Sequence, residues 1–266
     1  VNFGDWVNDS IALKKADVSF AMGSGTEVAK EASDIVILDD NIISISKAIL
    51  YGRTIFKNIR KFIIFQLTVN VAAVSLALIG PFIGVPSPIT VIQMLWINMV
   101  MDTLAGLAFS YEVPRIEYMK ETPKKKEENI INKYMLNEII TSGLYTLIIS
   151  LLFLKLPIIK ELFQDNNHLM TSFFSLFIFL AVFNAFNART HRLNIFAHLK
   201  ENKVFITIIL FIIIVQILMI YFGTTIFQTT PISLEEFTIV FLMSFTIIPL
   251  DFIRKIIFIN ICNRMC

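Results

Sequence analysis

The sequence predicts a mainly α, polytopic membrane bundle of six helical spans, preceded by a partial α/β segment. Three observations carry this. Apolar residues make up 56% of the 266, with 25 Phe and a mean hydropathy of +0.71, far less polar than a water-soluble domain. They fall in long unbroken runs, the pattern of a chain solvated by lipid. The first fifty residues differ, with short apolar runs separated by Gly and Asp clusters.

Residues 1–50 read as soluble. Residues 16–22 form a strand-like run closed by Gly23-Ser24-Gly25. Ser24 and Glu27 have capping-box spacing, which predicts a helix from there to about residue 33. Residues 34–38, Asp-Ile-Val-Ile-Leu, read as a buried strand ended by Asp39-Asp40-Asn41, with helix resuming near Ser44. A strand–helix–strand rhythm is the edge of a parallel-sheet domain. Fifty residues cannot close such a domain, so 1–50 is expected to be the C-terminal part of a larger one. The chain opens at Val1 without Met and is expected to be a fragment, or a product that has lost its front.

Residues 51–61 form a basic stalk helix bearing Arg53, Lys57, Arg60 and Lys61, which runs without a break into the first span. Six stretches approach the roughly 20 residues needed to cross a core about 30 Å thick. They are about 62–80, 89–109, 136–156, 171–188, 203–222 and 237–258, within a transmembrane domain of 62–266. The first two are joined by Gly80-Pro81-Phe82-Ile83-Gly84-Val85-Pro86-Ser87-Pro88, a turn that lipid cannot hold. The fourth is short and the sixth contains Pro249, so both are expected to be irregular. Seventeen Lys and Arg lie in the stalk 51–61 just before the first span, in 110–135, in 189–203 and from Arg254 onward; the alternate loops hold two, Lys155 and Lys160. That bias places both termini in the cytoplasm. The two cysteines, Cys262 and Cys266, stand at the C-terminus and exclude a disulfide framework.

Polar residues inside the spans are the informative ones, since a carboxylate at mid-bilayer costs about 2.5–3.5 kcal/mol on insertion scales. Asn98 and Asp102 are four apart in the second span and share a helix face. An amide oxygen and a carboxylate aimed at the bundle interior suit calcium, which takes about six to eight oxygens. Asn70, with Gln66 and Thr68, could add an oxygen from the first span. The competing reading makes these amides helix-to-helix hydrogen bonders and Asp102 a protonated acid. Asn184 and Asn187 read as packing or capping groups, Gln216 as alone in its span, and Asp251 with Arg254 as a local ion pair. His168, His191 and His198 read as solvated.

In the soluble part, Gly4-Asp5-Trp6-Val7-Asn8-Asp9 sets two carboxylates and an amide around a turn. Asp5 and Asp9 could hold Mg²⁺, and Asn8 could contact a phosphoryl group. Alone, the stretch reads as an ordinary Asp/Asn turn.

Taken together these stretches resemble the P-type ATPases. The family's hinge motif is usually written TGDGVNDAPALKKADVG, and residues 3–18 here read FGDWVNDSIALKKADV. The continuation AMGSGTEVAKEASDIVILDDN over 21–41 also looks like the family. Gln66-Leu-Thr-Val-Asn70 and Leu95-Trp-Ile-Asn98-Met-Val-Met-Asp102-Thr103 are most similar to the plasma-membrane-type calcium pumps. The resemblance implies a haloacid-dehalogenase-like segment at 1–50, with Asp5 and Asp9 serving Mg²⁺ and Asn8 the phosphoryl group. It also implies that Asn98 and Asp102 are Ca²⁺ ligands, with Asn70 nearby. Sarcoplasmic-type pumps carry Glu, Thr and Glu where Ala73, Met101 and Ala181 stand here, which implies a single calcium site.

The departures are Trp6 in place of Gly, and Ser10-Ile11 in place of Ala-Pro; a Trp there could block the phosphorylation site. A DKTGT motif is absent from these residues, so the chain as it stands is not expected to hydrolyse ATP by the family mechanism. The expected function is the C-terminal part of an ATP-driven calcium transporter, with ATP as substrate of the whole pump. Two alternatives stay open: a non-catalytic membrane remnant, and a pump for another cation such as Mn²⁺. The expected partners are membrane lipid and the N-terminal part of the pump, with no nucleic acid.

Overall fold

A computed structural model describes residues 1–84, 88–124 and 127–265, excluding the side chains of Met101, Asp102 and 261–265. Two compact units are present: Val1–Lys57 with Val113–Asn129, and Asn58–Glu112 with Ile130–Cys266.

In the first unit β1 (Asn2–Gly4), β2 (Ser19–Met22) and β3 (Ile35–Ile37) form a parallel sheet in the order β1-β2-β3. Phe3 stands opposite Phe20, and Ala21 opposite Val36. Parallel neighbours need crossovers, here α1 (Ser10–Lys15) and α2 (Glu27–Ala32). These helices bury Leu13, Ala29 and Ala32 together. A second small core joins Phe20 and Ile37 to Ile45, in the first turns of α3 (Ile42–Ile79). Asp34 clips β3 to β2: its Oδ2 accepts from the backbone N–H and the hydroxyl of Ser19, both at 2.9 Å. Strand β1 is an element the sequence reading did not anticipate, because three residues offer too little alternation to register.

The start of α2 also differs from expectation. Its cap is Thr26, which accepts from the Ala29 N–H at 3.4 Å. Ser24 is occupied elsewhere, its N–H donating to Asp40 Oδ1 at 3.0 Å. That donor draws the exposed Asp40 carboxyl below its ordinary range. Further along the unit, Arg53 donates to the carbonyls of Tyr118 and Glu121, both at 2.6 Å, and Lys57 pairs with Glu121 at 2.6 Å.

The second unit holds the rest of α3, then α4 (Val91–Met99), a π-helical segment (Val100–Ala105) and α5 (Gly106–Ser110). It continues with α6 (Lys133–Lys155), α7 (Pro157–Lys160), α8 (Asn166–Arg189), α9 (Lys203–Phe222), α10 (Leu234–Phe245) and α11 (Ile247–Met265). Among the described residues six stretches are long and apolar enough to cross a membrane: Ile42–Ile79, Val91–Ser110, Lys133–Lys155, Asn166–Arg189, Lys203–Phe222 and Leu234–Asn260. The chain is an integral, multi-pass membrane protein.

Helix α8 is the axis of this unit and, among the described spans, the most deeply buried. Phe173, Phe174, Phe177 and Phe179 are inaccessible, and Phe179 meets Phe237 and Phe241 of α10 edge to face. Contrary to expectation this span is regular over 24 residues. Asp165 caps it, accepting from the His168 N–H at 2.8 Å, so the helix starts outside the purely apolar run. The last span does break as expected, between Phe245 and Ile247. Pro249 has no N–H for the carbonyl four residues back. Asn187 reaches into the break, donating to the Ile247 carbonyl at 3.1 Å. On α6, a Cβ at Gly143 would lie 2.9 Å from Val71 Cγ1 and 3.2 Å from the Thr68 carbonyl. The missing side chain lets α3 and α6 meet closely, the usual role of small residues between membrane helices.

Candidate functional site

The hinge turn is built on Asp9. Its Oδ2 accepts from the N–H groups of Asp5 and Trp6, both at 3.1 Å, which folds the turn over the carboxylate. Asp5 Oδ1 accepts from the Met22 N–H at 3.2 Å, so the end of β2 holds the second carboxylate. Gly4 is required here, because a Cβ would sit 2.5 Å from Asp9 Cβ. Asn8 is exposed. Trp6 has φ −111° and ψ 161°, an extended conformation open to any residue, and its side chain is 72% exposed. Position 6 therefore carries no left-handed strain that would demand Gly.

Each of Asp5 and Asp9 commits one oxygen to backbone N–H groups, which leaves the other. Mg²⁺ is commonly held by one or two carboxylates, completed by water and phosphate oxygens, and the pair fits that need. Among the described residues no group of three or more His, Cys, Asp or Glu forms a metal cage.

In the membrane unit, α4 begins with a full capping box between Thr90 and Gln93. The Gln93 amide donates to the Phe227 carbonyl at 2.8 Å. The Trp96 indole donates to Gln216 Oε1 at 3.3 Å, so Gln216 is partnered across helices rather than alone in its span. Trp96, Ile97 and Val100 face inward, whereas Asn98 is exposed. The expectation that Asn98 aims into the bundle does not match its placement among the described residues. Asn70 on α3 is half-buried. The side chain of Asp102 lies outside the described residues, but its backbone falls within the π-helical segment. The second span is therefore not a uniform α-helix. A π segment turns less per residue, and such segments concentrate at functional sites. It interrupts the regular i,i+4 ladder on which the shared face of Asn98 and Asp102 was argued.

Two buried charge clusters were not legible as such. Glu112 Oε2 lies 3.1 Å from Lys61 Nζ and its Oε1 lies 3.2 Å from an Arg189 nitrogen. The Asn202 amide donates to the same Oε1 at 3.0 Å. Burial pushes the Glu112 carboxyl up, but Lys61, Asn202 and Arg189 outweigh it and hold the pKa below its ordinary value. In the second cluster, Arg254 pairs with Asp251 at 2.7 Å and with Glu138 at 3.0 Å, and Lys255 pairs with Asp251 at 2.7 Å. The local Asp251–Arg254 pair read from sequence is thus half of a four-residue network. His168 is likewise not simply solvated: it lies 2.9 Å from Glu236 with 12% of its side chain exposed.

Residues 86–257 match the family model for the C-terminus of cation transporting ATPases. The chain belongs to the cation-transporting ATPases. Residues 1–49 match haloacid dehalogenase-like hydrolase, in keeping with the parallel sheet. The sequence is 41% identical over 255 residues to the plasma membrane calcium-transporting ATPase mca-1 of Caenorhabditis elegans, covering 91% of this chain and 20% of that protein. It is 41% identical over 251 residues to plasma membrane calcium-transporting ATPase 3 of Rattus norvegicus and of Homo sapiens, covering 88% of this chain and 20% of each. The chain spans about a fifth of the length of the curated relatives it matches.

Proposed function

We propose that this chain is the C-terminal part of an ATP-driven calcium transporter and supplies part of its intramembrane cation site. The observation that carries the reading is the second span. An exposed Asn98 near the end of α4 is followed closely by a π-helical segment that contains Asp102. Irregular backbone at membrane depth is tolerated where it lines a cavity or lies within protein, and hard oxygen donors there suit Ca²⁺. Asn70, half-buried on the neighbouring span, is the third candidate ligand. The similarity to plasma membrane calcium-transporting ATPases supports calcium as the cargo.

On this reading Asp5 and Asp9 hold Mg²⁺ and the exposed Asn8 contacts the phosphoryl group. Mg²⁺, when bound, neutralises charge on the phosphate. The turn's own contribution is to fix the two carboxylates, through Asp9 on the N–H groups of residues 5 and 6. The continuous α3 carries the conformational change from this turn's unit to the spans, and the Lys/Arg bias orients both termini to the cytoplasm.

The cargo is tested by ATP-dependent ⁴⁵Ca²⁺ uptake into inverted vesicles, using the gene with its natural upstream sequence. Uptake resistant to equimolar Mn²⁺ supports calcium. Uptake abolished by equimolar Mn²⁺, together with ATP-dependent ⁵⁴Mn²⁺ transport at higher affinity, moves the assignment to Mn²⁺.

A further inference from the structure

Glu112 is the carboxylate on which four membrane helices converge at one end of the bundle. It lies just beyond α5, the end of the span that carries Asn98 and Asp102. Lys61 reaches it from α3, the helix that carries Asn70. Arg189 is the last residue of α8, and Asn202 is the cap residue of α9. The side chains of Lys61, Glu112 and Arg189 are 8%, 3% and 0% exposed, so these contacts are made without water.

The other atoms of the cluster tighten the same joint. The Asn58 amide donates from α3 to the carbonyls of Ser110 and Glu112 at 3.3 and 3.4 Å. Asn202 uses its oxygen to cap α9, accepting from the Phe205 N–H at 2.9 Å, and its nitrogen to hold Glu112 and the Ala108 carbonyl. Arg189 Nη2 donates to the carbonyls of Ile195 and Ala197, at 3.0 and 2.6 Å. The middle of α3, the end of α8 and the start of α9 are thus each bonded to Glu112 or to the backbone beside it. A buried carboxylate shared by two cations cannot leave one of them without stranding a charge. The middle of α3 and the end of the second span, the two helices that carry the candidate ligands, are therefore held in fixed relation to each other and to α8 and α9.

We propose that Glu112 is a positioning residue that locks the middle of α3, at Asn58 and Lys61, to the end of the second span and so sets the spacing of the intramembrane cation ligands. The locking follows from the cluster alone. The consequence for ligand spacing rests on the calcium reading above.

The test uses the full natural gene product in lipid nanodiscs, with Cys262 and Cys266 replaced by Ser. Spin labels are placed on Ile59 of α3 and Phe196 between α8 and α9, both exposed. Their distance distribution is read by double electron–electron resonance. The wild type gives one narrow distribution, Glu112→Gln broadens it at least twofold, and Glu112→Asp restores most of it. A Glu112→Gln distribution as narrow as wild type overturns the proposal, whether or not the vesicles transport Ca²⁺. Should Glu112→Gln fail to fold, Lys61→Met decides. It should broaden the Ile59–Phe196 distribution while a Tyr111–Phe196 pair stays narrow, and no change in the first pair overturns the proposal. In the transport arm, Glu112→Gln raises half-saturating Ca²⁺ by about tenfold with maximal phosphoenzyme unchanged, an affinity effect on the order of one decade. A fall in phosphoenzyme with unaltered half-saturation marks a merely structural role and also overturns it. Absence of uptake in wild type sinks the calcium reading and leaves the distance measurement to decide the locking.

Discussion

Arg189 meets Glu112 at 3.2 Å with side chains 0% and 3% exposed, an ion pair made wholly away from solvent. Such a pair adds little net stability when intact, because desolvation offsets the Coulomb attraction, yet breaking it from one side is costly. Arg189→Met is therefore predicted to destabilise the membrane unit by about 3–5 kcal/mol, seen as a lower Tm in detergent. Adding Glu112→Gln should cost less than the sum of the two single changes, and strict additivity would contradict a direct coupling.

The pH dependence follows from the same carboxylate. The Glu112 pKa lies below its ordinary value of 4.5 in the folded protein. A group depressed on folding contributes stability above its unfolded pKa and loses it as pH falls through the folded one. The wild-type Tm should therefore fall as pH drops below about 4.5, and Glu112→Gln should flatten that limb. Identical acid limbs in the two proteins would contradict the assignment.

Gly143 tests the helix packing. A methyl group there would meet Val71 Cγ1 at 2.9 Å and the Thr68 carbonyl at 3.2 Å. Gly143→Ala should cost about 1–3 kcal/mol through overpacking, and Gly143→Leu more, read as thermal stability in detergent. Because Val71 and Thr68 flank Asn70 in the chain, the same variants should weaken cation affinity.

The hinge turn separates two glycine questions. Gly4→Ala would drive a Cβ to 2.5 Å from Asp9 Cβ and should cost about 1–3 kcal/mol in the stability of the first unit. Trp6 is extended and exposed, so Trp6→Gly should change stability by no more than about 1 kcal/mol. Comparable losses from both variants, by thermal or chemical denaturation, would show that position 6 is constrained after all.

How far the sequence could be read depended on the range of the interactions. Long apolar runs disclose spans because lipid imposes them residue by residue, and Pro249 disclosed the break in the last span because its effect is local. The choice of Thr26 over Ser24 as the α2 cap turned on Asp40, which takes the Ser24 N–H from sixteen residues away. The partnership of Trp96 with Gln216 spans 120 positions, and no local pattern encodes it. Glu112 carries no local signal in the sequence, since its importance lies in Lys61, Arg189 and Asn202, which chain order keeps apart. Asn98 was visible because an amide stands out in an apolar helix. The π segment beside it was not, because Val100–Ala105 has the composition of an ordinary α-helix.

The central claim is that the second span carries the transported cation. The most direct measurement is ATP-dependent ⁴⁵Ca²⁺ uptake into inverted vesicles, with Ca²⁺-dependent phosphoenzyme formation followed in parallel, comparing wild type with Asp102→Asn. Uptake in wild type, with uptake and Ca²⁺-dependent phosphoenzyme both lost in Asp102→Asn at equal expression, is the predicted result. Wild-type uptake that survives Asp102→Asn with unchanged half-saturating Ca²⁺ would contradict it.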